Sequence, residues 1–284
     1  MIESTHNIFM FWNSGFDESP ELIRACANSW KHHHEGTPWK IHLLDEKNVF
    51  QYMAQMQTED SEALKHQLGR IKRKERCGDI VKFTDLLRLA LLDNFGGVWA
   101  DATVFCQKPL DAWIDNHQKS LLAPKSHEAN RRHEAWFLIN LHQSAYLSDW
   151  KNAFRRHIIS GVDFCDDWKF QRTSIYYWML RLGSLNPQMA ARIWNSWFAL
   201  RIMKKQPYFS INYCAEHVLL RKHRPLAKSG ELFLSLNPDR CCPNRKLVEN
   251  PEGIDFADQC IIKLNHKWNS TLLLNRLKGH STVK

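Results

Sequence analysis

Residues 79–110, DIVKFTDLLRLALLDNFGGVWADATVFCQKPL, decide how this chain is read. Ile80, Phe83, Leu87, Ala90 and Leu91 recur at helical spacing, which gives a helix one buried stripe. Asp85 and Arg88, three apart, project from one face of that helix. Asn94, Gly96 and Gly97 accept the backbone conformations that stop it. Val98, Trp99 and Ala100 then form a short apolar strand, and Asp101 stands where the strand ends. Open α/β sheets hold ligands at the carboxyl ends of their strands, so Asp101 marks a site for a phosphate-bearing ligand accompanied by a cation.

The flanking sequence extends the same architecture. Ile8 to Trp12 is a short apolar run closed by Asn13-Ser14-Gly15, which reads as a buried strand and a turn. Ser19-Pro20-Glu21 opens a helix with a hydroxyl cap, and Leu22, Ile23, Cys26 and Trp30 supply its apolar face. Trp39 to Leu44 reads as a second strand ending at Asp45, so strand, helix and strand predict a right-handed βαβ unit in a mostly parallel sheet. Residues 51–78 are polar and predict one or two exposed helices. Glu134 to Asn140 reads as a further strand, with helices over Leu141–Arg156, Ile175–Leu182 and Met189–Leu200. No repeat or Pro/Gly linker interrupts residues 1–284, which predicts one α/β domain with halves 1–140 and 141–284, the second α-rich.

Composition narrows the function classes. An apolar content of 44% and twelve tryptophans suffice for a sizeable core. The net charge of +9 fits a polyanion, an anionic membrane or a nucleotide diphosphate. The basic residues are scattered and form no nucleic-acid module, so a basic nucleic-acid-binding protein is the weaker reading. The basic clusters Ile71–Arg76 and Arg221–Arg224 are solvated faces or contacts to anionic lipid. Eight cysteines lack metal-finger spacing, and Glu3, His6 and Asn7 interrupt any leader, which predicts reduced thiols in a cytoplasmic protein. No apolar run of about 18 residues is present, so no span is predicted. Neither a nucleophile elbow nor a Walker loop occurs.

Three pieces of the central stretch carry a resemblance: TDLLRLALL (Thr84–Leu92), GGVW (Gly96–Trp99) and DATV (Asp101–Val104). They resemble the DXD sugar-binding region of GT-A glycosyltransferases, above all the capsular polysaccharide synthesis protein family, with the initiating Golgi mannosyltransferases and the glucosylating toxins as relatives. Phe11-Trp12, Pro20-Glu21-Leu22 and Asp45-Glu46-Lys47-Asn48 match the family's opening elements, and Cys260 to Asn269 resembles its closing strand.

The resemblance implies a GT-A-like fold whose first half binds a nucleotide sugar. It implies transfer of a hexose from a UDP- or GDP-linked donor to a glycan or lipid-linked oligosaccharide, with retention of anomeric configuration. The setting it implies is bacterial surface polysaccharide synthesis at the cytoplasmic membrane face, without nucleic acid. Trp12 would stack on the base, though it equally reads as a core tryptophan. Asp85 would accept from sugar hydroxyls, with Arg88 on sugar or phosphate and Asp101 catalytic. Gly97, Thr103, His266 and Lys267 would join Trp12 and Asp101 around the donor. Mn²⁺ or Mg²⁺ would be held by Asp101, Thr103 and His266. One departure stands out: Thr103 replaces the second acid of DXD, and a hydroxyl binds hard cations poorly. Metal dependence is therefore open, basic side chains being the alternative charge for the leaving diphosphate, and a binding-only relative is the competing reading. Asp166, Asp167, Trp168, Tyr176, Tyr177 and Trp178 form either an acceptor groove or core.

Overall fold

The central strand β1 (Asn7–Phe11) is buried along its whole length in the computed structural model. The structure describes residues 6–72, 79–114, 121–126, 128–164, 174–229, 241–243, 248–251, 259–265, 267 and 270–281. After β1 come α1 (Glu21–His34), β2 (Lys40–Leu44), α2 (Val49–Met53), α3 (Thr58–Lys72) and α4 (Asp79–Phe95). The chain continues through β3 (Gly97–Ala100), β4 (Val104–Cys106), β5 (Phe137–Asn140), α5 (Ala145–Ile159) and β6 (Asp163–Phe164). The remainder holds α6 (Ile175–Gly183), α7 (Pro187–Trp194), a π-helical turn (Phe198–Met203), β7 (Lys205–Gln206), α8 (Ser210–Lys222), α9 (Arg224–Ser229), β8 (Ile261–Lys263) and α10 (Thr271–Ser281).

The principal sheet has the order β2-β1-β3-β5. β2 and β3 flank β1 in parallel and β5 closes the edge antiparallel to β3, as expected of a mostly parallel α/β sheet. Alternation sorts its side chains into two layers. Phe9, Phe11, Trp99 and Leu138 face a core shared with α3, α4, α5 and α8, whereas Ile8, Met10, Val98, Phe137 and Ile139 face a core containing Trp30 of α1. Each such side chain contributes about 1.5–3 kcal/mol by leaving water. Parity also decides the site. Trp99 and Asp101 are two apart and share the side of the sheet on which α4 lies, and the Trp99 indole donates to Asp101 Oδ1 at 2.8 Å.

The motif helix ends where the glycines predict. The Gly96 amide donates to the Leu92 carbonyl at 3.1 Å with a φ of +66°, a left-handed stop. Gly97 has φ +99°, and a Cβ there would lie 2.3 Å from the Asn7 carbonyl oxygen, so only glycine lets β3 approach β1. β4 leaves the sheet and pairs antiparallel with β8, with Val104 opposite Lys263.

Several local expectations change. Ser19 does not cap α1; its hydroxyl donates to the Phe16 carbonyl at 2.7 Å, and Pro20 occupies the cap position. Residues 58–72 are not a merely exposed helix, because Ala63, Leu64 and Leu68 join the core and Asp60 is fully buried. Lys151 reaches both Asp60 Oδ2 and Asp93 Oδ2 at 2.6 Å, and Arg155 adds a bond to Asp60 Oδ1 at 2.6 Å. This ionic cluster ties α3, α4 and α5 together. The helix expected over Met189–Leu200 breaks after Trp194, where Asn195 turns its side chain onto the Ala191 and Tyr213 carbonyls before the π-helical turn begins. Among the described residues, Cys26, Cys106, Cys214 and Cys242 are free thiols.

Candidate donor site

A cavity of about 530 Å³ opens at the carboxyl ends of β1 and β3. Trp12 and Asn13 border it from the end of β1, Thr84 and Arg88 from α4, and Trp99, Asp101 and Thr103 from the end of β3. Lys263 and Lys267 close it from the tail, and Tyr208 faces it from the segment before α8. This is the place the sheet topology assigns to ligands.

Asp101 is the centre of its polar contacts. Its Oδ1 accepts from the Trp99 indole and lies 3.3 Å from Arg88 Nη1, while Oδ2 accepts from the Lys263 ammonium at 2.7 Å. Burial alone would raise the Asp101 pKa, but Lys263, Arg88 and the hydrogen bonds from Lys263 and Trp99 outweigh it and hold the carboxyl below its ordinary value. The Arg88 guanidinium is fixed from several sides. It donates to the Ala135 carbonyl at 2.6 Å and the Thr84 carbonyl at 3.3 Å, and sits 5.2 Å from the Trp99 ring centroid.

Asp85 behaves differently. It is buried, pairs with Arg88 Nη2 at 3.0 Å and does not line the cavity. Burial raises its pKa to about 7, opposed by Arg88 and reinforced by the neighbouring Asp101. Asp85 thus meets Arg88 and stands back from the residues that line the cavity. Tyr208, which the sequence did not single out, has its phenol pushed up to about 12 by desolvation first and then by Asp85 and Asp101. Tyr208 therefore shares the cavity lining with Arg88 and Asp101 while leaving part of its side chain exposed.

The other expected residues divide. Trp12 and Lys267 line the cavity, as does Thr103, whose carbonyl also accepts from the Leu264 amide at 2.8 Å and sets the β4–β8 register. Gly97 is not a cavity residue; its place against Asn7 gives it a backbone role. His266 lies outside the described residues, as do Asp166, Asp167 and Trp168. Tyr176 is core, packed against Trp194, which removes it from any acceptor groove. Lys263 is the main residue the sequence missed. Its signal was its place in the closing strand, but only the non-local pairing of β8 with β4 shows that it meets Asp101.

A divalent cation at this site would need several oxygen ligands. Among the described residues no group of three His, Cys, Asp or Glu side chains is placed to hold a metal ion. Both oxygens of Asp101 already have donor partners, two of them cationic, and Thr103 is neutral. As arranged, these residues do not fit a resident Mn²⁺ or Mg²⁺; they present fixed positive charge where a metal would otherwise sit. Asn13 Oδ1, by contrast, is a buried acceptor with no protein partner among the described residues, which leaves one polar contact open to a ligand.

No curated protein matches the chain. Among solved structures, the PaToxG glycosyltransferase aligns with TM-score 0.38 and 13% identity, covering 80% of this chain and 82% of its own. The galactosyltransferase LgtC, solved with donor and acceptor sugar analogues, aligns with TM-score 0.39 and 13% identity, covering 98% of this chain and 97% of its own. The family match is more direct: residues 1–166, more than half of the 284 and inclusive of Trp12, Asp85, Arg88 and Asp101, fit the capsular polysaccharide synthesis protein family, and the chain belongs to that family.

Proposed function

We propose that this chain is a glycosyltransferase of the GT-A type that moves a hexose from a UDP- or GDP-linked donor to a glycan or lipid-linked oligosaccharide in surface polysaccharide synthesis. The observation that carries the reading is the Arg88–Asp101–Lys263 arrangement in a cavity at the strand ends. Trp12 offers a face for the nucleotide base, and Asn13 Oδ1 offers an acceptor to a base N–H. The diphosphate then lies toward Lys263, Lys267 and Arg88.

In the reaction an acceptor hydroxyl oxygen bonds to the anomeric carbon while the carbon–oxygen bond to the β-phosphate breaks. The electron pair leaves on the phosphate oxygen, and the hydroxyl proton passes to the departing diphosphate. Negative charge grows on that group, and the fixed ammonium and guanidinium stabilise it where water is sparse. The Asp101 carboxylate keeps both cations in place and offsets positive charge at the anomeric carbon. Attack from the side of the leaving group retains configuration, since no side chain on the opposite face is assigned as nucleophile. No step is assigned to a metal.

A second reading, a relative that binds sugar nucleotides without turnover, is favoured by Thr103 in place of the second acid. The test is nucleotide diphosphate release from a panel of UDP- and GDP-sugars, with and without Mn²⁺, for wild type and Asp101→Asn, alongside calorimetric binding. Release lost in the variant supports the transferase. Binding without release in every acceptor tried supports the second reading, and neither binding nor release overturns both.

A further inference from the structure

Eight of the eleven exposed large apolar side chains among the described residues fall between Ile175 and Tyr208. Scattered exposed apolar residues are ordinary, but a concentration of this kind marks an interaction surface. On α6 the inner face is occupied: Tyr176, Met179 and Leu180 pack with α7 and the π-helical turn around Trp194. A second apolar stripe, Ile175, Trp178 and Leu182, points outward at spacings of three and four, with Trp178 57% exposed. The π-helical turn repeats the pattern. Ala199 is buried, while Ile202 and the preceding Trp197 are exposed, Trp197 at 70%. Both stripes thus belong to elements that share one core and have already buried a face.

Charge identifies the occupant. From Ser174 to Tyr208 the chain carries five basic residues and no acidic one. Arg181, Arg201, Lys204 and Lys205 are exposed among the apolar stripes. We propose that this face seats the chain on an anionic lipid bilayer. Trp178 and Trp197 lie at the headgroup level, where tryptophan is favoured, the aliphatic side chains enter the acyl boundary, and the basic residues meet lipid phosphates. A second copy of the chain is a poorer fit, because a two-fold contact would set these cations against themselves. The basic clusters singled out by sequence fit less well too. Residues 73–78 lie outside the described residues, and Lys222 and His223 are bound to Asp149 at 2.6 and 2.9 Å.

The surface adjoins the cavity. Tyr208 lines the cavity and meets Phe209 edge-on with ring centroids 5.0 Å apart, and Phe209 packs on the same small core as α6. Membrane seating therefore brings the cavity to the depth of lipid headgroups, within reach of a lipid-linked acceptor. That last point rests on the transferase reading, whereas the docking does not.

The test is flotation of the full chain with vesicles of phosphatidylglycerol and phosphatidylcholine against phosphatidylcholine alone. The expected result is flotation with the anionic vesicles only, weakened by salt and accompanied by a blue shift of tryptophan emission. Trp178→Ser combined with Trp197→Ser lowers the partition coefficient at least tenfold, and Arg201→Gln with Lys204→Gln lowers it roughly fivefold per charge. The melting temperature, and donor hydrolysis without vesicles where it is measurable, stay at wild-type values in both variants. Absence of flotation by the wild type, or undiminished flotation by the tryptophan variant, overturns the proposal. So does a concentration-dependent dimer, by sedimentation, that the tryptophan substitutions abolish while vesicles stay unbound. Flotation with no donor turnover leaves the docking standing and removes only the transferase reading.

Discussion

The Lys263 ammonium lies 2.7 Å from Oδ2 of Asp101, joining residues 162 positions apart at the centre of one cavity. Lys263→Ala is expected to lower nucleotide diphosphate release about 10²–10³-fold in kcat with a smaller change in KM, the pattern of a charge that acts on the leaving group. Lys263→Arg recovers part of the rate. Chelation leaves the wild-type rate unchanged. A Lys263→Ala enzyme with undiminished kcat would remove Lys263 from the chemistry.

Asp85 makes stability depend on pH near neutrality. Its folded pKa, about 7, lies above the ordinary 3.8, so between these values the folded state binds the extra proton and stability falls as pH rises. Asp101 shifts the other way and acts at lower pH, outside this window. Asp85→Asn is expected to lose this component. The difference in melting temperature between variant and wild type should grow in the variant's favour from pH 5 to pH 8, at about 2–4 °C per kcal/mol. A difference that stays flat across that range would rule out the shifted carboxyl.

Lys151 is almost wholly buried between Asp60 and Asp93. Lys151→Met removes the cation that the two carboxylates share, leaving Asp60 to Arg155 and Asp93 without an ammonium, and is expected to destabilise the fold by about 3 kcal/mol in urea unfolding. Replacing the three together, with Asp60→Asn and Asp93→Asn, should recover much of that loss. If Lys151→Met alone unfolds at the wild-type midpoint, the cluster does not tie the helices as described.

Gly97→Ala combines a φ of +99° with a Cβ 2.3 Å from the Asn7 carbonyl. It is expected to cost about 2–3 kcal/mol or more and to part β3 from β1. Retention of wild-type thermal stability would show that the strands adjust without it.

The elements legible from sequence are those specified within a few residues. β1, α1, β2, α4 and β3 follow from alternation, helical spacing and glycine stops, and Asp85, Arg88 and Asp101 gather as their offsets indicate. Most of what was missed has one cause, a partner far along the chain. Asp60 looked solvated because its acidic neighbours did, while Lys151, which neutralises it, comes 91 residues later. Lys263 was passed over for its neighbours because only the register with β4 points it at Asp101. Gly97 carries a constraint that its own neighbourhood in the sequence does not show, from Asn7 on another strand. Ser19 shows a local competition, a hydroxyl choosing the carbonyl behind it over the helix ahead.

The pairing of β8 with β4 also orders events in time. A chain emerging from the ribosome exposes Trp12, Arg88 and Asp101 early and can fold β1, α4 and β3 around them. Until Ile261–Lys263 arrives, Asp101 lacks its ammonium partner and the cavity has no wall on that side. A chain that stops short of β8 therefore lacks the Asp101–Lys263 pair however well the earlier sheet has formed.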